Sequence, residues 1–180
     1  MLNLNNVTLI AITSIKLEKT IKALEYSCRG INFGSVKLVS DKKPENLPEF
    51  INPDSWQDDF LNYDYIGAPY PLPQDNFSYR DIDGNLIRVG NSVSLRSKKL
   101  LDLPIQLDLE WKAFHGYYNE DGYICVNYRH KYLENGIRFA DIDVAKYFSH
   151  EMMIPEVQGI KPFAFHRHYG TNSIYPNYGK

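Results

Sequence analysis

Val7-Thr8-Leu9-Ile10-Ala11-Ile12 is an almost wholly apolar, β-branched run near the start of the chain. Such a run suits a strand covered on both faces in a parallel sheet. Leu17, Ile21, Leu24 and Cys28 follow at spacings of four, three and four, which lines one face of a helix that Gly30 stops. Ser35 to Ser40 then reads as a second strand. Strand, helix and strand in that order form a β-α-β unit, whose crossover is expected to be right-handed. This opening commits the chain to an α/β architecture with parallel pairing.

Downstream, Asn52 followed by Pro53 predicts a capped helix ending near Asn62. Tyr63 to Pro69 predicts a short strand running into a turn, after which Pro69, Pro71 and Pro73 keep the backbone extended. Asp83-Gly84 predicts a hairpin between residues 77–82 and 85–89. Val93 to Arg96 reads as a strand, and Ser97 caps a short helix through Leu101. Asn119 predicts the start of a long helix to Asn135, buried through Ile124, Cys125, Tyr128, Tyr132 and Leu133 and ended by Gly136. Ile137 to Ala140 and Val144 to Phe148 read as further strands. A chain of 180 residues fits one hydrophobic core, so a single domain over residues 1–180 is expected.

A net charge of −2 argues against a nucleic-acid binder, which needs a clustered basic excess. The basic pairs Lys42-Lys43 and Lys98-Lys99 read as solvated surface. Two cysteines are too few for a disulfide framework, and Cys28, at the end of the helical stripe, reads as a buried thiol. The run Val7 to Ile12 is too short for a membrane span or the apolar core of a leader. The expectation is a cytoplasmic protein. Neither a dinucleotide-binding glycine loop nor a Walker sequence occurs, which sets aside dinucleotide oxidoreductases and P-loop enzymes.

Three features have both a plain and a functional reading. The 14 tyrosines supply flat apolar faces with polar tips, as sugar clefts use, but surface drift produces tyrosine-rich chains too. Glu120-Asp121 falls in the first turn of the Asn119 helix, where the helix dipole favours negative charge. That preference alone accounts for an acidic pair, and catalysis is the sharper alternative. His166 and His168 share one strand face, which more often serves structure than a metal.

Several segments occur together in a fixed order: Asn52-Pro53-Asp54-Ser55-Trp56, Tyr63-Asp64-Tyr65-Ile66-Gly67-Ala68-Pro69, and Val89-Gly90-Asn91 leading to Ser94-Leu95-Arg96-Ser97. Glu120-Asp121, Arg138-Phe139-Ala140 and Phe163-Ala164-Phe165-His166 complete the series. This arrangement resembles a family of glycosyltransferase-type proteins catalogued chiefly as a domain of unknown function, with DYDYIGAPW-like and GNGGFSLRS-like signatures. The resemblance runs from Val7 to His166. It implies a GT-A-like, Rossmann-like three-layer sandwich with a mostly parallel sheet, here reduced in size. It further implies a nucleotide-sugar donor, a carbohydrate or other hydroxyl acceptor, and Mn2+ or Mg2+ on the diphosphate.

By the same resemblance, Asp121 is the acceptor-activating base with Glu120 beside it, and His166 completes the metal site. Asp64, Tyr65, Gly90, Asn91, Ser94 and Arg96 match the stretches that lie near donor and acceptor. A non-catalytic domain that binds carbohydrate or nucleotide-sugar is the alternative reading. Two departures bear on activity. Asn91-Ser92-Val93-Ser94 is one residue shorter than the family's second signature and lacks its two glycines. Between Pro44 and Asn52 the family carries a further helix and a central strand ending in a metal-binding aspartate segment, whereas here Glu49-Phe50-Ile51 joins almost directly to Asn52. The sheet is therefore expected to lack a central strand, leaving apolar surface to be covered by closing up or by pairing with a second copy. Transfer by this shortened chain is expected to be weak.

Overall fold

A computed structural model describes residues 1–12, 17–39, 50–51, 53–111 and 119–165. Strand β1 (Leu2–Ile12), helix α1 (Leu17–Ser27) and strand β2 (Ile31–Val39) form the expected β-α-β unit, with β1 and β2 parallel. Gly30, at φ 74°, takes the left-handed backbone that ends the helical segment. Cys28 lies just past α1 and is half-buried, because the inward face runs through Leu17, Ala23, Leu24 and Ser27 instead. The strand expected to be covered on both faces is not: Ile10 and Ile12 are 48 % and 78 % exposed. Among the described residues β1 pairs only with β2, and its face carrying Thr8, Ile10 and Ile12 meets solvent.

The pairing of β1 with β2 contains an irregularity that one glycine permits. Leu4 pairs with Phe33 and Thr8 with Ser35, so three residues of β1 bulge opposite Gly34 alone. A Cβ on Gly34 would lie 2.0 Å from the Asn5 carbonyl oxygen.

The middle of the chain is built around strand β4 (Tyr65–Pro69), which pairs antiparallel with β5 (Val89–Arg96). Strand β3 (Phe50–Ile51) pairs antiparallel with β7 (Ala164–Phe165), which runs parallel to β6 (Ser149–His150). The result is a mixed α/β fold of three small, partly parallel sheets among the described residues, in place of the expected three-layer sandwich with a single reduced, mostly parallel sheet. Every residue of β4 is buried. Its side chains alternate between two apolar cores: Ile66 joins Leu4, Phe60, Phe148 and Phe163, whereas Tyr65 joins Leu100, Cys125 and Tyr132.

Several local expectations are corrected. The predicted helix to Asn62 is two 3-10 turns, Pro53–Ser55 and Asp58–Asn62, the second anchored by Phe60 at 0 % exposure; its proposed cap, Asn52, lies outside the described residues. The Asp83-Gly84 turn forms, with Gly84 at φ 80°, but its flanks contribute only the Arg80–Leu86 bridge, not two strands. Ser97 caps α2 (Lys98–Gln106) as expected, accepting from the Leu100 N–H, and the helix runs past Leu101. Ile137 to Ala140 contributes a single parallel bridge, Phe139 to Tyr65. Val144 to Phe148 is helical, within α5 (Ile142–Phe148), because Asp141 accepts from the Val144 N–H and caps it.

The long Asn119 helix is interrupted. It opens as α3 (Glu120–Gly122), widens into a π turn at Tyr123–Asn127, and resumes as α4 (Arg129–Glu134). The Tyr128 N–H bonds the Tyr123 carbonyl at 3.0 Å, five residues back. One inserted residue shifts the helical phase by about 100°, which leaves Tyr132 buried and turns Leu133 outward to 49 % exposure. No helix among the described residues is long and apolar enough to cross a membrane.

Gly34→Ala is expected to destabilise the protein by about 1–3 kcal/mol, since the added carbon meets backbone that cannot rotate away. Urea unfolding checks this; an unchanged midpoint would show that the bulge opposite Gly34 is not a fixed feature.

Candidate functional site

Asn119 sets the site's acidic pair. Its Oδ1 accepts the Gly122 N–H at 3.2 Å, so Glu120 and Asp121 occupy the first turn. Glu120 faces outward and meets Arg96 Nη2 at 3.0 Å. Asp121 faces inward at 4 % exposure. Its Oδ1 accepts the Gly122 N–H at 3.1 Å, and its Oδ2 accepts the Tyr70 hydroxyl at 3.3 Å. Burial most strongly raises the proton affinity of Asp121, and the Glu120 charge adds to it. The backbone N–H groups and the Tyr70 hydroxyl oppose both, and the net position lies above the ordinary carboxylate value of 3.8.

Strands β4 and β5 supply the facing side. Arg96, at the end of β5, donates from Nε to Ser94 Oγ at 2.9 Å, and its guanidinium lies 5.7 Å from the Tyr65 ring centroid. Burial alone lowers the affinity of Arg96 for its proton, but Tyr65 and Glu120 outweigh it, so the cation is secure. Tyr65 is wholly buried with its hydroxyl against the Cys125 thiol. Burial pushes that thiol up to about 12, leaving it protonated and unreactive at neutral pH. Gly90 lies beneath the Tyr70 ring, and Asn91 belongs to β5 with its side chain outside the described residues.

Of the residues picked out from sequence, Tyr65, Gly90, Ser94, Arg96, Glu120 and Asp121 are linked in one neighbourhood through these contacts. Asp64 performs a different local task. Its Oδ2 accepts the Arg138 N–H at 2.9 Å, and its backbone carbonyl accepts the Ser97 N–H at 2.9 Å. Burial would raise the Asp64 carboxyl, but the Ser97 hydroxyl, the Arg138 N–H and the charges of Lys99 and Arg138 together bring it below the ordinary value. Tyr70 and Tyr79 stack at 4.5 Å between ring centroids, a pairing that no sequence motif marks. Tyr70 stands between two prolines, where the pattern signals only an extended spacer.

His166 and His168 lie outside the described residues. Among the described residues no group of three or more His, Cys, Asp or Glu converges to hold a metal ion. Glu120 and Asp121 are engaged by Arg96, Tyr70 and Gly122, and His166, the residue the resemblance implies for Mn2+ or Mg2+, is outside the described residues.

Asp64 and Asp121 have opposite linkage to pH. Asp64, held below 3.8, adds stability above that value and loses it as pH falls through its folded pKa. Asp121, held above 3.8, favours the protonated fold, so it costs stability as pH rises from 3.8 through its folded pKa. Asp64→Asn is therefore expected to cost about 1–3 kcal/mol at neutral pH, shrinking in acid. Asp121→Asn is expected to gain stability relative to wild type as pH rises. Thermal melts across pH 3 to 8, on the order of one per half unit, check both; parallel trends in the two variants would contradict this assignment.

No curated protein and no solved structure is matched by the chain. Residues 49–166, which include β4, β5, Tyr70 and the acidic pair, match the family described as "Protein of unknown function (DUF5672)". The chain belongs to that family.

Proposed function

We propose that this protein handles a nucleotide-sugar and a hydroxyl acceptor as a glycosyltransferase-type domain of GT-A-like descent, with Asp121 as the base. The observation that carries the reading is the placement of Asp121: an inward carboxylate of raised proton affinity, one residue from a glutamate that an arginine neutralises. In transfer, the acceptor oxygen forms a bond to the anomeric carbon while the bond from that carbon to the diphosphate breaks. The leaving diphosphate takes the electron pair, and the acceptor's proton passes to Asp121. A carboxylate with pKa raised toward the working pH is the better base for this step. Arg96 offers a permanent cation to the diphosphate. Tyr65, Gly90, Asn91 and Ser94 are proposed to border the donor, with Asp64 supporting them through Arg138 and Ser97.

A π turn that begins at Tyr123, two residues after Asp121, also supports a functional role, since such widened turns occur frequently at working sites. Among the described residues the carboxylates form no metal-ligand set, and His166 lies outside those residues. One observation favours binding without catalysis: both oxygens of Asp121 are already hydrogen-bonded and the group is 4 % exposed.

Calorimetric titration with uridine and guanosine diphosphates, with and without Mn2+, separates the readings. Binding that requires Mn2+ supports a metal-dependent transferase, and binding indifferent to the ion supports the non-catalytic domain. Asp121→Asn is expected to retain donor binding within about threefold, as a base that does not hold the donor should. Absence of binding by both diphosphates under both conditions would overturn the proposal.

A further inference from the structure

We infer that Tyr70, seated by Gly90 and braced by Tyr79, is the positioning residue that keeps Asp121 oriented and ionised. The inference rests on the reading of Asp121 as the base, but its geometry stands by itself. Gly90 lies within β5 and is not among the glycines of positive φ, so backbone freedom does not explain a glycine there. Space does. A Cβ at Gly90 would lie 2.2 Å from the Tyr70 hydroxyl oxygen and 2.4 Å from Cζ. The hydroxyl end of Tyr70 thus occupies the volume that any other residue would fill.

The opposite constraint comes from Tyr79, whose ring stacks on Tyr70 with an interplanar angle of 15°. Its own backbone is held at φ 54°, an uncommon conformation for a tyrosine, while its carbonyl accepts the Ile87 N–H at 2.6 Å. Tyr70 is thereby held from two sides, with its hydroxyl aimed at Asp121 Oδ2. A hydroxyl that donates to a carboxylate favours the ionised form, which burial and Glu120 both disfavour. The other ionisable groups around Asp121 are Tyr65 from β4, Cys125 from the π turn, and Arg96 from β5 acting on Glu120. Tyr65 and Cys125 are kept neutral by burial, so Tyr70 is the side-chain donor that, beside the Gly122 N–H, offsets Glu120.

The test is a carbon-13 NMR titration of the Asp121 carboxyl in the full chain. Tyr70→Phe keeps the ring against Tyr79 and removes only the donor, so the Asp121 midpoint is expected to move up. Gly90→Ala displaces the same hydroxyl and is expected to move it in the same direction. Tyr128→Phe, whose hydroxyl donates to the Glu110 carbonyl oxygen, is expected to leave the midpoint unchanged. An unchanged midpoint in Tyr70→Phe overturns the inference even if its melting temperature falls, since a merely structural tyrosine would act on stability alone. If Gly90→Ala fails to fold, Tyr70→Phe decides. Loss of nucleotide binding in the wild type with a raised Tyr70→Phe midpoint would refute the proposed function and leave this positioning role standing.

Discussion

Strand β4 is the constraint on which the rest of the fold depends, because it is buried on both faces and borders both apolar cores. Burial of that kind requires every backbone group to find a partner. The Asp64 and Tyr65 N–H groups share the Arg138 carbonyl, Tyr65 accepts from the Ala140 N–H, and β5 pairs along the strand. The Asp64 side chain completes the arrangement by accepting the Arg138 N–H in return. A single acidic residue therefore ties the start of β4 to the segment leading into α5 and to the cap of α2.

The candidate site follows from where β4 and its neighbours end. Tyr70 leaves β4, Gly90 and Arg96 come from β5, and Asn119 starts the turn that carries Glu120 and Asp121. The charges are arranged unequally. Glu120 receives a full cation at the surface, whereas Asp121 receives only a hydroxyl and a backbone N–H in the interior. That inequality leaves Asp121 in the less compensated setting, with its proton affinity raised by burial and by the neighbouring Glu120 charge.

Features written in contiguous residues were legible in the sequence. The β-α-β opening, the caps at Ser97 and Asn119, the YIGAP strand and the acidic pair all follow from short-range pattern. What was not legible depended on distant partners. A π turn inserts one residue into the helical phase and moved Leu133 outward, and no local signal marks it. Asp141 outweighed the β-branched look of Val144, making a helix of an expected strand. Nothing local marks Tyr70, because its contacts are with Gly90, Tyr79 and Asp121, none of which is its sequence neighbour.

If the neighbourhood of β5 and the Asn119 turn receives a nucleotide-sugar, as proposed, the ligand binds there whether or not it is turned over. Backbone amide shifts recorded by NMR during addition of uridine- and guanosine-diphosphate sugars locate the ligand without requiring activity. The account predicts that the largest changes fall on Gly90, Ser94, Arg96 and Glu120 to Gly122. Changes centred on the β1–β2 sheet, or none at saturating ligand, would contradict it.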